Sequence, residues 1–309
     1  MDPYAYMPGQ TEFKLEQRAG GAGLKLSFEP AVTSPYIGSH AGGEYHRPRR
    51  TKPPLAIIAH GMGDTSLIPV RLLARSLLAS GWACYLPYLP IHSSRVPAGM
   101  NLTTLSDEGW NDIYRSSVIE IRQALDWAAG RQDLDYERFA LIGVSFGGFV
   151  STIAMSRDKR IRAGVLIESG GNATKTARLS GAMRRRFPRP HRDYAALERA
   201  YQGYLSEVAS RGFENVEPQE RFFQNDPLTF APGLRDRPML MVCGIYDELI
   251  PRQAARDVWQ AAGRPEILWL PASHVTLWAY YPLISRRVRS FLERNAAAVT
   301  LAPPQANVL

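Results

Sequence analysis

The chain has little cysteine. Cys84 and Cys243 are its two, and each lies inside an apolar run. A pair so placed supports neither a disulfide framework nor a cysteine metal site, and both read as buried reduced thiols, which fits a reducing compartment. Long hydrophobic runs are also missing. No stretch reaches the roughly 18 apolar residues that a membrane-spanning helix needs. The opening Met1-Asp2-Pro3-Tyr4-Ala5-Tyr6-Met7-Pro8 has neither the basic start nor the apolar centre of a secretory signal, so a cytoplasmic location is expected. The six histidines show no paired ligand spacing, and no Gly-rich loop runs into a phosphate-binding lysine. Neither a metal nor a cofactor is expected.

Acidic residues are in the minority, 29 against 37 Lys and Arg, for a formal net charge of +8. The densest basic runs are His46 to Lys52 and Arg184 to Arg192. Basic runs of this kind can bind phosphate backbones or anionic membranes, a reading that predicts steep salt dependence. No nucleic-acid motif accompanies them, so they read as solvated surface and no nucleic-acid partner is expected. The Arg184–Arg186 run could also attract acidic substrates.

What is present is a globular α/β chain. Its 309 residues suffice for one large domain, and 45% hydrophobic and 21% charged residues are ordinary for such a fold. Residues 1–23, punctuated by Gly and Pro, are expected to be a loose lead-in. Leu24 to Phe28 alternates as a half-buried strand does. The period then changes. Leu55-Ala56-Ile57-Ile58-Ala59 is continuously apolar, as a strand covered on both faces would be. A Gly-rich turn and an amphipathic helix over 68–79 follow, and the unit repeats: strands over 82–86, 139–144, 163–167, 239–243 and 267–270, with helices over 110–129, 149–155, 252–262 and, largely, 275–293. This alternation predicts a mostly parallel sheet with helices on both faces.

One segment breaks the rhythm. Residues 170–226 are polar, basic and helix-prone, most regularly over 194–208, and are expected to form a helical cap inserted between two sheet strands. The core is then 24–169 plus 227–297, with 298–309 a flexible, Pro-rich tail.

Four motifs carry chemistry. Gly143-Val144-Ser145-Phe146-Gly147 has the G-x-S-x-G form and lies between a buried apolar run and an apolar helix. That context suits a nucleophilic serine held on a sharp strand-to-helix corner. His60-Gly61-Met62-Gly63 follows the first buried strand, Asp247 follows a late one, and His274 follows the last. A serine hydroxyl is a poor nucleophile until a neighbouring base takes its proton, and the base needs a third group to fix its tautomer. His274 is the only histidine beyond residue 191. Asp247 is favoured as the acid, with Glu248 and Glu168 as alternatives.

In these motifs and their Ser, Asp, His order the chain resembles the α/β-hydrolase superfamily over roughly residues 24 to 295. The resemblance implies an α/β-hydrolase fold and a nucleophile at Ser145. It also implies an oxyanion hole from the backbone N–H groups of Phe146 and Met62, with His60 holding the loop and Asp64 capping the next helix. Met62 departs from the all-glycine version of this loop found in some lipases and esterases, and is expected to help shape the acyl pocket. His92 and Arg95, in a Pro-rich loop at the sheet's carboxyl edge, are candidate substrate contacts.

The activity expected is cleavage of a small-molecule carboxylic ester. An amidase, peptidase or lipase on the same residues is the alternative, and a catalytically silent binding protein is a further one. The first 50 residues are too few for the extra domain that peptidases of this superfamily commonly carry, which favours an esterase. Tyr194, Tyr201, Tyr204, Trp278, Tyr280 and Tyr281 would suit an apolar or aromatic ester. Nothing in the sequence bears on oligomeric state.

Overall fold

The computed structural model describes residues 2–18, 23–188 and 193–295. The expected flexible tail, 298–309, and the last four residues of the second basic run lie outside the described residues. The elements in chain order begin β1 (Phe13–Gln17), β2 (Leu24–Phe28), β3 (Ala41–His46), β4 (Pro54–Ala59), α1 (Ile68–Ala79), β5 (Ala83–Pro87), α2 (Asp107–Ala129) and β6 (Asp135–Val144). They continue with α3 (Phe146–Arg157), β7 (Ile161–Ile167), α4 (Ala173–Leu179), α5 (Gly181–Arg186), α6 (Tyr194–Arg211) and the short α7 (Pro227–Phe230). The chain then closes with β8 (Met239–Gly244), α8 (Arg252–Ala261), β9 (Glu266–Leu270) and α9 (Tyr281–Asn295).

The strands form a single sheet in the order β1-β2-β3-β5-β4-β6-β7-β8-β9. From β1 to β5 the neighbours pair antiparallel, and from β5 to β9 they pair parallel. The parallel part is buried on both faces, which explains its unbroken apolar runs. Alternate residues of β4 point to opposite layers. Leu55, Ile57 and Ala59 join Ile113, Val118 and Ile153 of α2 and α3, whereas Ala56 and Ile58 join Val70, Leu73, Val288 and Phe291 of α1 and α9. Helices therefore cover both faces, as the alternation predicts. No helix among the described residues is long and apolar enough to cross a membrane.

The lead-in expectation is corrected. Phe13–Gln17 is an edge strand in antiparallel register with β2, and the Phe13 and Phe28 rings pack 5.3 Å apart. Tyr4 is fully buried, and its hydroxyl donates to Asn225 Oδ1 at 2.8 Å. The Asp64 expectation is corrected too. The residue preceding α1 is Leu67, in the left-handed region at φ 53°, with no side-chain cap, while Asp64 Oδ1 accepts from Ser66 Oγ at 3.1 Å.

Between β7 and β8 the chain leaves the sheet for a helical excursion. Asn172, Ser180 and Asp193 cap α4, α5 and α6 by accepting from the backbone N–H groups of Lys175, Met183 and Ala195/Ala196. Tyr201 and Tyr204 of α6 pack on Phe223 and tie the excursion to the main core.

Candidate active site

Ser145 is the single residue between the end of β6 and the start of α3, at φ 51°, ψ −117°. A residue with a Cβ is strained there, and the surroundings must hold it. They do so through the backbone. Ser145 N–H donates to the Ile167 carbonyl at 2.8 Å, and its carbonyl accepts from Gly148 and Phe149 at 2.8 and 3.2 Å. The motif glycines are required by close approach. A Cβ on Gly147 would lie 2.2 Å from the Ala59 carbonyl oxygen, and one on Gly143 would lie 2.4 Å from that of Gly147.

His274 follows β9, and its Nε2 lies 3.1 Å from Ser145 Oγ. Its Nδ1 lies 2.8 Å from Asp247 Oδ2. With Nδ1–H donating to the carboxylate, Nε2 keeps the lone pair that faces the hydroxyl. Burial disfavours the imidazolium, but the hydrogen bond to Asp247 and its charge outweigh that, so the His274 pKa is raised. The other oxygen of Asp247, Oδ1, accepts from the N–H groups of Leu249 and Ile250 at 2.9 and 2.8 Å, which fixes the carboxylate.

The two alternative acids stand elsewhere. Glu248 Oε2 accepts from the backbone N–H of His274 at 3.1 Å. Glu168, at φ 51° just past β7, is 3% exposed. Its Oε2 accepts from Trp278 Nε1 at 3.2 Å, and its Oε1 has no partner among the described residues. Burial, with the nearby Asp247 charge against it, pushes its pKa up to about 8 despite the opposing pull of His274. Glu168 is therefore a neutral carboxyl beside the histidine at pH 7, while Asp247 makes the hydrogen bond.

The loop after β4 lies against the nucleophile: a Cβ on Gly61 would be 3.2 Å from Ser145 Cβ. Neither Phe146 nor Met62 donates its backbone N–H to a partner among the described residues. Such unspent donors beside the serine are what a developing oxyanion requires. His60 holds the loop. Its Nδ1 donates to the Gly61 carbonyl at 2.8 Å, and its Nε2 accepts from Leu89 N–H at 3.1 Å. Burial drives its pKa down to about 4, so the ring is neutral.

His92 and Arg95 are not placed as expected of substrate contacts. Arg95 is 7% exposed and grips Glu120 with two hydrogen bonds of 2.5 and 2.8 Å, and also donates to the Tyr88 carbonyl. His92 stacks on Tyr88 at 4.7 Å and pairs with Ser94 Oγ at 2.8 Å. Both lock the loop after β5 and neither lines the cavity beside Ser145. A buried cation needs a buried anion, and Glu120 lies in the middle of α2, far away in sequence.

That cavity, of about 250 Å³, lies between the sheet's carboxyl edge and the helical excursion. Met62 and Phe146 line it, together with Trp110, Tyr114, Phe149 and Phe187. Sequence reading missed the α2 aromatics, although Trp110 and Tyr114 stand four apart on one helix face. Of the aromatics it did single out, Tyr194 lines the cavity, Tyr201 and Tyr204 are core, Trp278 holds Glu168, and Tyr281 donates to the Leu72 carbonyl.

Comparison with known proteins agrees with this architecture. The model of the family described as "Alpha/beta hydrolase family" matches residues 56–286. An uncharacterized protein of Mycobacterium tuberculosis (strain ATCC 25618 / H37Rv) is 23% identical over 216 residues, which cover 68% of this chain and 46% of that protein. The chain thus spans less than half the length of the curated relatives it matches. Among solved structures, an acetyl xylan esterase from Paenibacillus sp. R4 superposes with a TM-score of 0.66 at 16% identity, covering 94% of this chain and 90% of that one. Acetyl xylan esterase 1 from Thermoanaerobacterium sp. JW/SL YS485 gives 0.62 at 16% identity, covering 93% and 88%. At such identities the likeness is one of fold.

Proposed function

We propose, from the premise that this chain belongs to the alpha/beta hydrolase family, that it is a serine hydrolase cleaving a carboxylic ester through an acyl-enzyme on Ser145. The observation that carries this reading is the hydrogen-bonded series Ser145 Oγ, His274 Nε2, His274 Nδ1, Asp247 Oδ2, with links of 3.1 and 2.8 Å. The chemistry follows from it. Ser145 Oγ attacks the ester carbonyl carbon as its proton passes to His274 Nε2. The carbonyl oxygen becomes an oxyanion facing the N–H groups of Phe146 and Met62. Asp247 stabilises the imidazolium without taking its proton. The tetrahedral intermediate collapses, the C–O bond to the alcohol breaks, and His274 returns its proton to the departing oxygen. A water molecule, deprotonated by His274, then attacks the acyl-enzyme. Collapse releases the carboxylic acid and gives Ser145 its proton back.

Acetyl xylan esterases among the fold's neighbours support an ester over an amide as substrate. Hydrolysis of p-nitrophenyl esters and the matching anilides, by wild type and Ser145→Ala, tests the reading. Ester turnover that vanishes in the folded variant is expected. Ester turnover undiminished in Ser145→Ala removes the nucleophile, and anilide turnover in preference to ester turnover makes the enzyme an amidase.

A further inference from the structure

The cavity beside Ser145 has a direction relative to the reaction, and the direction says which half of the substrate enters it. His274 must protonate the leaving oxygen, so the alcohol half lies on the His274 side. The carbonyl oxygen points at Phe146 and Met62. The remaining substituent, the acyl chain, runs away from His274. Neither Ser145 nor His274 lines the cavity; Phe146, the residue after the nucleophile, and Met62 do, which puts it on the oxyanion side of Ser145. On the His274 side the adjacent Val275 is 74% exposed, so the departing alcohol faces solvent.

The walls of the cavity are aromatic and already set. Phe146 packs against Tyr114 at 5.0 Å and Trp110 at 6.0 Å, and Phe187, just past α5, closes over Trp110 at 6.0 Å. The carboxylate, amide, threonine and guanidinium groups in the lining are committed to the protein. Asp226 accepts from the N–H groups of Asn172, Ala173 and Leu228, Asn111 pairs with Asn225, and Thr174 donates to Asn172 Oδ1. Arg184 donates to the carbonyls of Ala177 and Arg178, and Asp107 is likewise partnered. A polyhydroxylated acyl group would give up its water for few new hydrogen bonds. An acetyl group would leave most of the cavity unfilled: about 250 Å³ is the liquid share of roughly eight waters. Such a void forfeits the contacts that its walls offer.

We propose that this cavity is the acyl-binding site and that the substrate's acyl group is a medium-length apolar chain, alkyl or arylalkyl, with little discrimination on the alcohol side. The proposal rests on the serine-hydrolase reading above and deepens it. Phe187 and Ala177, both contributed by the helical excursion, are its specificity-determining residues.

The test holds the leaving group constant and varies the acyl group. p-Nitrophenyl acetate, butyrate, hexanoate and phenylacetate are compared on wild type, Phe187→Ala and Ala177→Phe, with fluorophosphonate labelling of Ser145 in parallel. From acetate to hexanoate, kcat/KM rises about fourfold per methylene buried. Phe187→Ala, which opens the roof, and Ala177→Phe, which fills the cavity, each lower the hexanoate-to-acetate ratio at least tenfold. Changing the alcohol of a hexanoate ester moves kcat/KM by less than tenfold. Acetate as the best substrate of a wild type that labels at Ser145 overturns the acyl-site proposal and leaves the serine-hydrolase reading standing. A ratio unmoved in both variants does the same. Absence of label at Ser145 overturns the underlying reading, and the proposal with it.

Discussion

His274 Nδ1 meets Asp247 Oδ2 at 2.8 Å, while the carboxyl of Glu168, buried within electrostatic reach of the same ring, hydrogen-bonds to Trp278 instead. Two acids thus attend one histidine in different states. Asp247 is anchored by two backbone N–H groups, and Glu168 is held neutral by burial. This division gives the first prediction. Asp247→Asn lowers kcat by roughly 10³–10⁴-fold, because the imidazole loses its fixed tautomer. Glu168→Gln lowers it by less than tenfold at pH 7. Steady-state kinetics on both variants checks this, and the reverse ranking moves the acid to Glu168.

The pH profile supplies a second prediction. His274 acts as a base only when neutral, and its pKa is raised from the ordinary 6.5. The rise of kcat/KM with pH therefore has its midpoint above 6.5. In Asp247→Asn a neutral amide replaces the carboxylate whose hydrogen bond and charge favour the imidazolium, so the midpoint moves to lower pH. Profiles of both proteins between pH 5 and 9 show the direction.

Stability gives a third. The Glu168 carboxyl has a folded pKa of about 8 against an ordinary 4.5. A carboxyl raised in the folded state contributes stability that is full below the unfolded value and is lost as pH climbs through the folded one. Wild type therefore loses stability between about pH 4.5 and 8, on the order of a few kcal/mol at most. Glu168→Gln does not, so its Tm gains on wild type from pH 5 to pH 8. Thermal melts at the two pH values read the difference.

Arg95 yields a fourth prediction, on stability instead of substrate binding. Removing its guanidinium leaves Glu120 charged, 3% exposed and held by Ser116 Oγ alone. Arg95→Ala destabilises by about 3–5 kcal/mol, and KM of the folded fraction changes little. Denaturant titration and KM measured together separate this from a substrate contact.

Much of the site was legible in the sequence because its parts are local. The corner around Ser145 needs glycines two residues to each side, and the approach of Gly147 to Ala59 shows why. The fully buried strands are legible because nothing polar interrupts them. What escaped depends on partners distant in the chain. Arg95 looked free because Glu120 lies 25 residues on, within a helix. Trp110 and Tyr114 gave no sign of a cavity because the segment that turns them into a cavity wall arrives after residue 170. The edge strand Phe13–Gln17 was hidden by the Gly and Pro residues on either side of it, although its own residues alternate.

The claim that Ser145 is the nucleophile has one direct test. A fluorophosphonate probe is added to the intact protein, and the modified peptide is located by mass spectrometry. The label is predicted on the peptide containing Ser145. Labelling is predicted to slow as pH falls and protonates His274, and to be lost in a folded Ser145→Ala variant. Label on another residue, or undiminished label in that variant, contradicts the account.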